Sequence, residues 1–288
     1  MAILKETSQE FVKSIIKPRS KWSRKGDNGR VLVIGGSWMF HGAPFLASMA
    51  ALRTGVDLVY LATPKMNALS IRSMSPDLIV FPLPDAKFKT GCAQRLIKWL
   101  PAVDCVIMGP GLGKGCEDGL KLVIKEMKYR NIPMVLDADA LHYDIVRLLN
   151  DKKHVVTPHA GEFNRLFGVV PSNKVEERCT LVEAKAKEVG VTILLKGPID
   201  VISDGETTYL DHAGTPAMTV GGTGDVLSGI VGALIAKGVP SCEAAAAGSY
   251  LNGKAGELAF QRKGLHITAS DLIDTLPDVQ KQFDKISE

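Results

Sequence analysis

The fold of this chain is indicated first by the stretch RVLVIGGSWMFHGAPFLASMAALRTGVDLVYLA, residues 30–62. It begins with the apolar run RVLVI (30–34), passes through a glycine turn into a helical pattern at 43–54 that Gly55 closes, and ends in a second apolar run, DLVYLA (57–62). Runs that are apolar throughout, instead of alternating, suit strands that are covered on both faces. A strand, a helix and a strand in this order predict a right-handed βαβ unit.

The same alternation continues along the chain. Four more apolar runs are predicted to be strands: DCVIM (104–108), IPMVL (132–136), HVVT (154–157) and VTILL (191–195). The later helices are predicted at 117–130, 140–150, 172–189 (with Ser172 as its N-cap), 225–237 and 242–260. Asp204-Gly205, between two β-prone runs, predicts an antiparallel hairpin at one edge of the sheet. The predicted fold class is therefore α/β with a mostly parallel central sheet.

Composition narrows the class of protein. The chain has 288 residues, of which 45% are hydrophobic, and 35 Lys and Arg against 31 Asp and Glu leave a net charge of +4. So small a charge, without a basic block, gives no indication of a nucleic-acid partner. The longest apolar stretch falls short of the ~18 residues that a membrane span needs, the N-terminus lacks the apolar core of a signal peptide, and five cysteines without a CxxC pair predict free thiols. We expect a cytoplasmic protein with a single domain over residues 1–288.

Glycine is unusually abundant and falls in clusters. The 28 glycines make up about a tenth of the chain, above the usual ~7%, and they follow predicted strands at 35–36, 109–113 and 197 or precede a helix at 221–224. Ligands of open α/β sheets bind beyond the carboxyl ends of the strands, where glycine lets backbone N–H groups approach an anion. Neither GPGLGKG (109–115) nor GGSWMFHGA (35–43) matches the Walker or dinucleotide fingerprint.

The most informative motif is VGGTGDVLSGIVGAL, residues 220–234. Its glycines lead into a predicted helix with Asp225 in the first turn, so that a carboxylate stands beside the free N–H groups of a helix N-terminus. These are the two parts that phosphoryl transfer to an alcohol requires: donors for the moving phosphoryl group and a base for the hydroxyl proton. The alternative is that Asp225 only caps its helix; the other glycine clusters on the same rim favour the catalytic interpretation.

The motif GGTGDVLSG (221–229) resembles the anion-hole motif of the ribokinase-like superfamily, and five further motifs narrow the resemblance to the ADP- or ATP-dependent NAD(P)H-hydrate dehydratases. In chain order they are residues 25–64, MGPGLG (108–113), VLDADAL (135–141), TPHAGEF (157–163) and LLKGPIDVI (194–202). The resemblance covers about residues 25–260 and implies a three-layer α/β/α sandwich.

The resemblance also implies an activity. Enzymes of this family repair NADH and NADPH whose nicotinamide ring has become hydrated, the compounds NADHX and NADPHX. The terminal phosphoryl group of ADP or ATP goes to the ring hydroxyl, phosphate leaves, the ring double bond returns, and AMP or ADP is released. Phosphate is a far better leaving group than hydroxide, so the first step makes the second possible. Mg²⁺ is the implied cofactor.

Site residues are carried over from the matching motifs. The implied base, in contact with the hydrate, is Asp225, and the implied anion hole is Gly222, Thr223 and Gly224. The implied nucleotide site is Lys196, Gly197, Pro198, Ile199, Asp200 and Gly224, and the positions implied to line the hydrated dinucleotide are Ala43, Gly111, Gly113 and His159. Glu162 is expected either to hold magnesium through water or to cap its own helix. Asp137 and Asp139 either shape the substrate and metal region or cap a helix.

Two other functions fit parts of the pattern. A ribokinase-like kinase of a small alcohol, such as a vitamin precursor, would share Asp225 and its glycines, but the block at 25–64 and PHAGE (158–162) favour the dehydratase. A non-catalytic nucleotide sensor would have no use for a base beside an anion hole.

The resemblance further implies a homotetramer. Because only 24 residues precede the first motif, we expect no epimerase domain here, so that the epimers of the hydrate are interconverted by another protein or spontaneously. The sequence does not distinguish ADP from ATP as donor.

Overall fold

The computed structural model describes residues 3–288, so Met1 and Ala2 lie outside the description. The strands are β1 (Ile3–Glu6), β2 (Arg19–Ser20), β3 (Arg30–Ile34), β4 (Leu58–Pro64), β5 (Ile79–Leu83), β6 (Cys105–Met108), β7 (Met134–Leu136), β8 (Val155–Val156), β9 (Thr192–Leu195), β10 (Asp200–Ser203), β11 (Thr207–Asp211) and β12 (Ile286–Ser287). The helices are α1 (Gln9–Ile15), α2 (Gly42–Arg53), α3 (Lys65–Met74), α4 (Thr90–Trp99), α5 (Glu117–Tyr129), α6 (Tyr143–Val146), α7 (Ala160–Phe167), α8 (Val175–Val189), α9 (Thr223–Ala236), α10 (Ser241–Lys263) and α11 (Ala269–Gln280). Within residues 3–288, no helix is long and apolar enough to cross a bilayer.

A ten-stranded sheet runs through the molecule in the order β1-β11-β10-β9-β8-β7-β6-β3-β4-β5. Its pairs are parallel except for the antiparallel pairs β9–β10 and β10–β11. All six strands predicted from apolar runs are present, and the hairpin at Asp204-Gly205 is confirmed. The mostly parallel α/β class is therefore confirmed.

The position of the hairpin at the sheet edge was predicted wrongly. β1 pairs in parallel with β11, placing Ile3 opposite Thr207, so β1 and not the hairpin forms this edge. Sequence reasoning missed β1 because its four residues are all exposed and carry no apolar period. It also missed β5 at the opposite edge, where Pro82 interrupts the strand pattern; proline is tolerated there because an edge strand has fewer ladder bonds to lose.

Helices cover both faces of the sheet. Along β3, Val31 and Val33 belong to one apolar cluster and Leu32 and Ile34 to another, and all four side chains are fully buried. Since successive side chains of a strand point to opposite faces, the two clusters are the two sides of the sheet. The first packs under α2, α9, α10 and α11, and the second under α4, α5, α7 and α8. The expected three-layer sandwich is confirmed.

Two predicted helix boundaries were wrong. The segment predicted as a helix at 140–150 contains only the single turn α6, which follows a 3-10 turn at Ala138–Ala140. Leu141, with ψ of 77°, interrupts the helical backbone between them. The helix predicted from 172 begins at Val175, because Ser172 Oγ accepts the Lys174 N–H and so folds the preceding loop instead of capping the helix.

The order of the strands creates a crevice at the carboxyl ends of β3 and β6. From β3 the chain proceeds to β4 and β5 on one side and returns to β6 on the other, which is the topological switch point where ligands of open α/β sheets bind. The two glycine turns meet there, as the Gly36 N–H donates to the Pro110 carbonyl at 2.8 Å. A Cβ on Gly35 would lie 2.4 Å from the same oxygen, so only glycine allows this approach.

Candidate active site

Helix α9 begins beside the crevice at the carboxyl ends of β3 and β6, and small residues set its position. A Cβ on Gly229 would lie 2.3 Å from the Ala47 carbonyl oxygen of α2, and one on Gly232 would lie 2.6 Å from the Ile107 side chain of β6. These glycines let α9 pack closely against both elements. The first turn of α9 contains Asp225, as predicted.

The N-terminus of α9 is held in a tight turn. Its N-cap residue, Gly222, has φ of 97°, a left-handed conformation that glycine adopts without strain. Thr223 Oγ donates to the Met218 carbonyl at 3.0 Å and fixes the loop that precedes the helix. The Thr223 hydroxyl is therefore a structural donor here, and the donors of the predicted anion hole are the backbone N–H groups of the first turn of α9.

Lys196, which directly follows β9, is the cation of the site. Its Nζ lies 2.9 Å from Asp137 Oδ1 and 3.8 Å from Glu162 Oε2. Thr157 also donates to Asp137 Oδ1, at 2.8 Å. A Cβ on Gly224 would lie only 3.2 Å from Lys196 Nζ, so the first turn of α9 lies against the ion pair. Residues from four separate motifs thus meet at one point.

The environment of Asp225 favours its protonated form more than water does. Burial raises the pKa of Asp225 to about 7; the carboxylates of Asp137, Asp139 and Glu162 contribute, while Lys196 opposes them. Although burial disfavours the charge of Lys196, Asp137 and Glu162 raise the pKa of this ammonium above its usual value. Near neutral pH the site therefore holds a charged lysine beside a carboxyl group that can exchange a proton, as a general base must.

Glu162 caps α7. The His159 backbone N–H donates to Glu162 Oε2 at 2.8 Å, while His159 Nδ1 accepts the N–H groups of Gly161 and Glu162, which together form a capping box. The capping role that the sequence left open for Glu162 is observed, and the magnesium role stays a prediction. Within residues 3–288, no group of three or more His, Cys, Asp or Glu side chains is arranged to hold a metal ion directly.

A cavity of about 310 Å³ opens beside Asp225. It is lined by Met39, Phe40, His41, Gly42, Ala43, Leu46, Gly221, Gly222 and Asp225. Ala43, at the start of α2, is thus brought next to the proposed base. Gly111 belongs to the same wall, because a Cβ on it would lie 2.8 Å from the Phe40 Cβ and 3.2 Å from the Ala43 Cβ.

Sequence reasoning did not assign the apolar turn at residues 38–40 to the site, although Met39 and Phe40 line this cavity. Trp38 and Met39 are 70% and 64% exposed, and Phe40 is about half exposed. Three large apolar side chains in a turn beside a glycine pair are an available signal, since a turn that only reverses the chain has no need of them.

The remaining predicted substrate residues lie close by. The Gly113 N–H donates to Asp139 Oδ2 at 2.8 Å, and a Cβ on Gly113 would stand 3.6 Å from Ser37 Oγ. An isolated parallel bridge joins the backbones of His159 and Lys196, and the half-exposed imidazole of His159 has its Nε2 3.5 Å from Glu162 Oε1.

The predicted nucleotide segment continues from Lys196 to Asp200. Gly197 and Pro198 are exposed, and Ile199 and Asp200 are partly buried. The Asp200 carboxylate is turned inward: Oδ1 accepts the Gly197 N–H at 2.7 Å, and Oδ2 lies 2.7 Å from Ser249 Oγ on α10. Asp200 therefore folds the segment back on itself with its side chain.

A second carboxyl group adjoins Asp200. Asp211 Oδ2 lies 2.6 Å from the same Ser249 hydroxyl, and Thr7 donates to Asp211 Oδ1 at 2.5 Å. Burial raises the pKa of Asp200 to about 6, and Asp211 adds to this effect. Burial also raises the pKa of Asp211 above its usual value. Sequence reasoning did not pair these two acids.

Comparison with known proteins points to the same family as the sequence motifs do, and the similarity extends over nearly the whole chain. The sequence profile described as NAD(P)H-hydrate dehydratase matches residues 31–278. The chain is 50% identical over 283 residues to the ADP-dependent (S)-NAD(P)H-hydrate dehydratase of Nitrosopumilus maritimus, covering 98% of this chain and 99% of that protein. It is 46% identical to the bifunctional NAD(P)H-hydrate repair enzyme Nnr of Pyrobaculum aerophilum, covering 91% of this chain but 52% of that protein.

A solved structure agrees in fold. The ADP/ATP-dependent NAD(P)H-hydrate dehydratase from Bacillus subtilis, co-crystallized with ATP/Mg²⁺, superposes with a TM-score of 0.83 at 26% identity over 97% of this chain and 99% of that one. The ordered motifs, the arrangement of α9 beside the Lys196 cluster and these similarities lead to one conclusion: the chain belongs to the NAD(P)H-hydrate dehydratase family.

Proposed function

We propose that this protein catalyses the nucleotide-dependent dehydration of (S)-NADHX and (S)-NADPHX to NADH and NADPH. The proposal rests mainly on Asp225. This residue lies in the first turn of α9, it lines a cavity that Ala43 also lines, and burial raises the pKa of its carboxyl group to about 7. A base in this position is suited to a hydroxyl group on a bound ligand, and the first-turn N–H groups are suited to the phosphoryl group that the hydroxyl attacks.

The reaction divides into two steps. Asp225 accepts the proton of the ring hydroxyl, whose oxygen forms a bond to the terminal phosphorus of the nucleotide as the bridging P–O bond breaks. The N–H groups of Gly224 and its neighbours in the first turn of α9 stabilise the charge on the moving group. The ring C–O bond then breaks with its electron pair on phosphate, the ring nitrogen supplies electrons to the carbon, and loss of a neighbouring ring proton restores the double bond.

The nucleotide is proposed to lie along Lys196–Asp200 and over Gly224. Lys196 is suited to this task because its charge persists at neutral pH and its ammonium adjoins the first turn of α9. ADP is the proposed donor, with AMP as product, since the relative that is 50% identical over 98% of this chain is named ADP-dependent.

Magnesium is proposed to bind mainly to the phosphates of the nucleotide. Glu162 fits only an indirect role, because Oε2 already accepts the His159 N–H and Oε1 lies 3.5 Å from His159 Nε2. A water molecule between the carboxylate and the ion would suit a hard cation that prefers oxygen ligands. When bound, the ion would offset phosphate charge; the proton transfer is assigned to Asp225.

Four broader proposals accompany this reaction. The chain is proposed to act as one domain, to assemble as a homotetramer and to work in the cytoplasm, with a separate epimerase supplying the S epimer.

The test is a recovery assay. NADH is hydrated with acid and mixed with the protein, ADP and Mg²⁺, and the return of the dihydronicotinamide absorbance is followed while AMP is quantified. Equal amounts of recovered NADH and AMP are expected, with parallel reactions on ATP to rank the donors. Asp225→Asn is expected to lose on the order of 10²-fold or more in turnover while binding ADP about as well as the parent. The proposal fails if neither nucleotide restores absorbance, or if the Asn variant turns over normally.

A further inference from the structure

A buried guanidinium lies behind the proposed nucleotide segment. Arg178, in the first turn of α8, is only 8% exposed. Its Nε is buried without a hydrogen-bond partner in residues 3–288, and the nearby Asp200 carboxylate favours its charge, although no ion pair joins the two side chains in that range. Burial nevertheless lowers the pKa of Arg178, so Asp200 compensates the buried charge only in part and a further anion would stabilise it.

The guanidinium is directed at Gly197. A Cβ on Gly197 would lie 2.5 Å from Arg178 Nη2, 2.7 Å from Nη1 and 3.0 Å from Cζ. Gly197 does not have a left-handed backbone, so close approach explains glycine at this position. Arg178 therefore supports, from behind, the exposed residue that follows Lys196.

The site has more acidic groups than cations, so a further cation would be favourable there. The carboxylates of Asp137 and Glu162 already surround Lys196, and Asp225 and Asp139 add further acidic groups. An adenine nucleotide brings several more negative charges into this neighbourhood. One lysine that is already paired does not balance them, and Arg178 of α8 is a buried cation that lies against Gly197 of the same segment.

We propose that Arg178 is a positioning residue of the nucleotide site, which supports the backbone of Gly197 and whose charge is balanced by the phosphates of the bound adenine nucleotide. This inference rests on the proposed function in one respect, that residues 196–200 bind an adenine nucleotide. Arg178 acts through Gly197 and through its electric field, and it takes no part in proton transfer.

Because the proposal concerns charge, the test compares ligands that differ only in phosphates. Adenosine, AMP and ADP are titrated calorimetrically into the parent protein, Arg178→Met and Arg178→Lys. Arg178→Met is expected to weaken ADP binding by about tenfold or more, AMP binding by less, and adenosine binding by less than about twofold. Arg178→Lys keeps the charge and is expected to retain most of the preference for ADP. At saturating ADP, kcat of Arg178→Met is expected to stay near the parent value while KM for ADP rises.

Lys174→Met is the matched control. Lys174 immediately precedes α8 and is 76% exposed in an ion pair with Glu177, so its removal changes the net charge equally without touching Gly197. Its nucleotide affinities are expected to match the parent. Equal loss of adenosine and ADP binding in Arg178→Met, or no loss of either, overturns the proposal.

Two further outcomes separate the role of Arg178 from the proposed function. If Arg178→Met does not fold, Arg178→Lys decides: retention of the ADP preference supports the role of charge, and its loss overturns it. If the parent protein fails to bind ADP, the proposed function fails whatever the variants do. A parent that binds ADP and dehydrates NADHX, beside an Arg178→Met with unchanged phosphate preference, refutes only the role of Arg178.

Discussion

Lys196 Nζ lies 2.9 Å from Asp137 Oδ1, and this ion pair joins the carboxyl end of β9 to the carboxyl end of β7 directly against the first turn of α9. Only 2% of the Asp137 side chain is exposed, so its charge depends on Lys196 for compensation. The same carboxylate raises the pKa of Asp225, while Lys196 lowers it. Burial is the main cause of the raised pKa of Asp225, and the two members of this ion pair adjust it in opposite directions.

The first prediction concerns the pH dependence of kcat/KM, which reports ionisation in the free protein. Burial raises the pKa of Asp225 to about 7, and a base must be ionised to accept a proton. We expect kcat/KM for NADHX to fall about tenfold per pH unit below about pH 7 and to level off above it. Initial rates at fixed ionic strength measure this. A flat profile from about pH 5.5 to pH 8 would exclude Asp225 as the base.

The second prediction concerns stability. The pKa of Asp225 is raised on folding, so its contribution is greatest below the ordinary value of 3.8 and is lost as pH rises toward about 7. Asp225→Asn cannot ionise and should therefore gain stability over the parent across this interval, reaching about 2 kcal/mol after allowance for partial exposure. Urea unfolding without nucleotide at about pH 4 and pH 7.5 measures the difference. An equal difference at both pH values would contradict the assigned environment.

The third prediction compares two adjacent glycines. Gly222 has φ of 97°, and a Cβ on it would lie 2.6 Å from Leu46 Cδ1, whereas a Cβ on Gly221 meets nothing within 4 Å. Gly222→Ala is expected to lose about 1–3 kcal/mol of stability and at least about tenfold in kcat, because the turn that aims α9 is displaced. Gly221→Ala, the control, is expected to unfold like the parent in thermal denaturation. Equal stability of the two variants would refute the strained turn.

The fourth prediction concerns the Ser249 hydroxyl, which has one proton and lies within 2.7 Å of carboxylate oxygens of both Asp200 and Asp211. Both contacts are hydrogen bonds only if one acid is protonated, in agreement with the raised pKa of each. Stability from this pair is therefore present at acidic pH and lost as pH rises through about 6. Asp211→Asn can donate to Ser249 permanently, and we expect it to reduce this loss by about 1–2 kcal/mol.

Chemical denaturation at about pH 5 and pH 8 checks the fourth prediction. The other groups that face the pair are Thr7 on Asp211 and, near Asp200, Lys196 and Arg178; His212 also lowers the pKa of Asp211. Ser249→Ala is the control: it removes the shared hydroxyl but leaves both acids, so its pH dependence should be steeper than that of the parent. A parent-like slope for Asp211→Asn would contradict the shared proton.

Much of the fold and the centre of the site could be predicted from the sequence. The strands with continuous apolar runs were recognisable because burial on both faces demands that composition, and Asp225 and Lys196 were recognisable because short motifs at strand and helix ends fix their position. The expected lining by Ala43 and Gly111 agrees with the cavity beside Asp225. Ligand binding by these residues stays a prediction.

What could not be predicted depends on contacts between distant segments. Nothing in the local pattern pairs β1 with β11 or brings Asp200 and Asp211 to one serine on α10. From the sequence alone, Arg178 is an ordinary charged residue of an amphipathic helix. Only the folded structure shows that it packs against Gly197. The helix predicted at 140–150 is only the single turn α6, because the backbone of Leu141 is not helical. The local composition does not indicate this interruption.

The pairing of β1 with β11 has a consequence for synthesis of the chain. Ile3 pairs with Thr207, so β1 can join the sheet only after a partner strand that is made about two hundred residues later. At ~5–20 residues per second, that interval is roughly 10–40 s on the ribosome. β2 waits longer still, because Arg19 pairs with Ile286. β1 and β2 can therefore pair only after these later segments have been made, so both pairings depend on contacts between segments that are far apart in the chain.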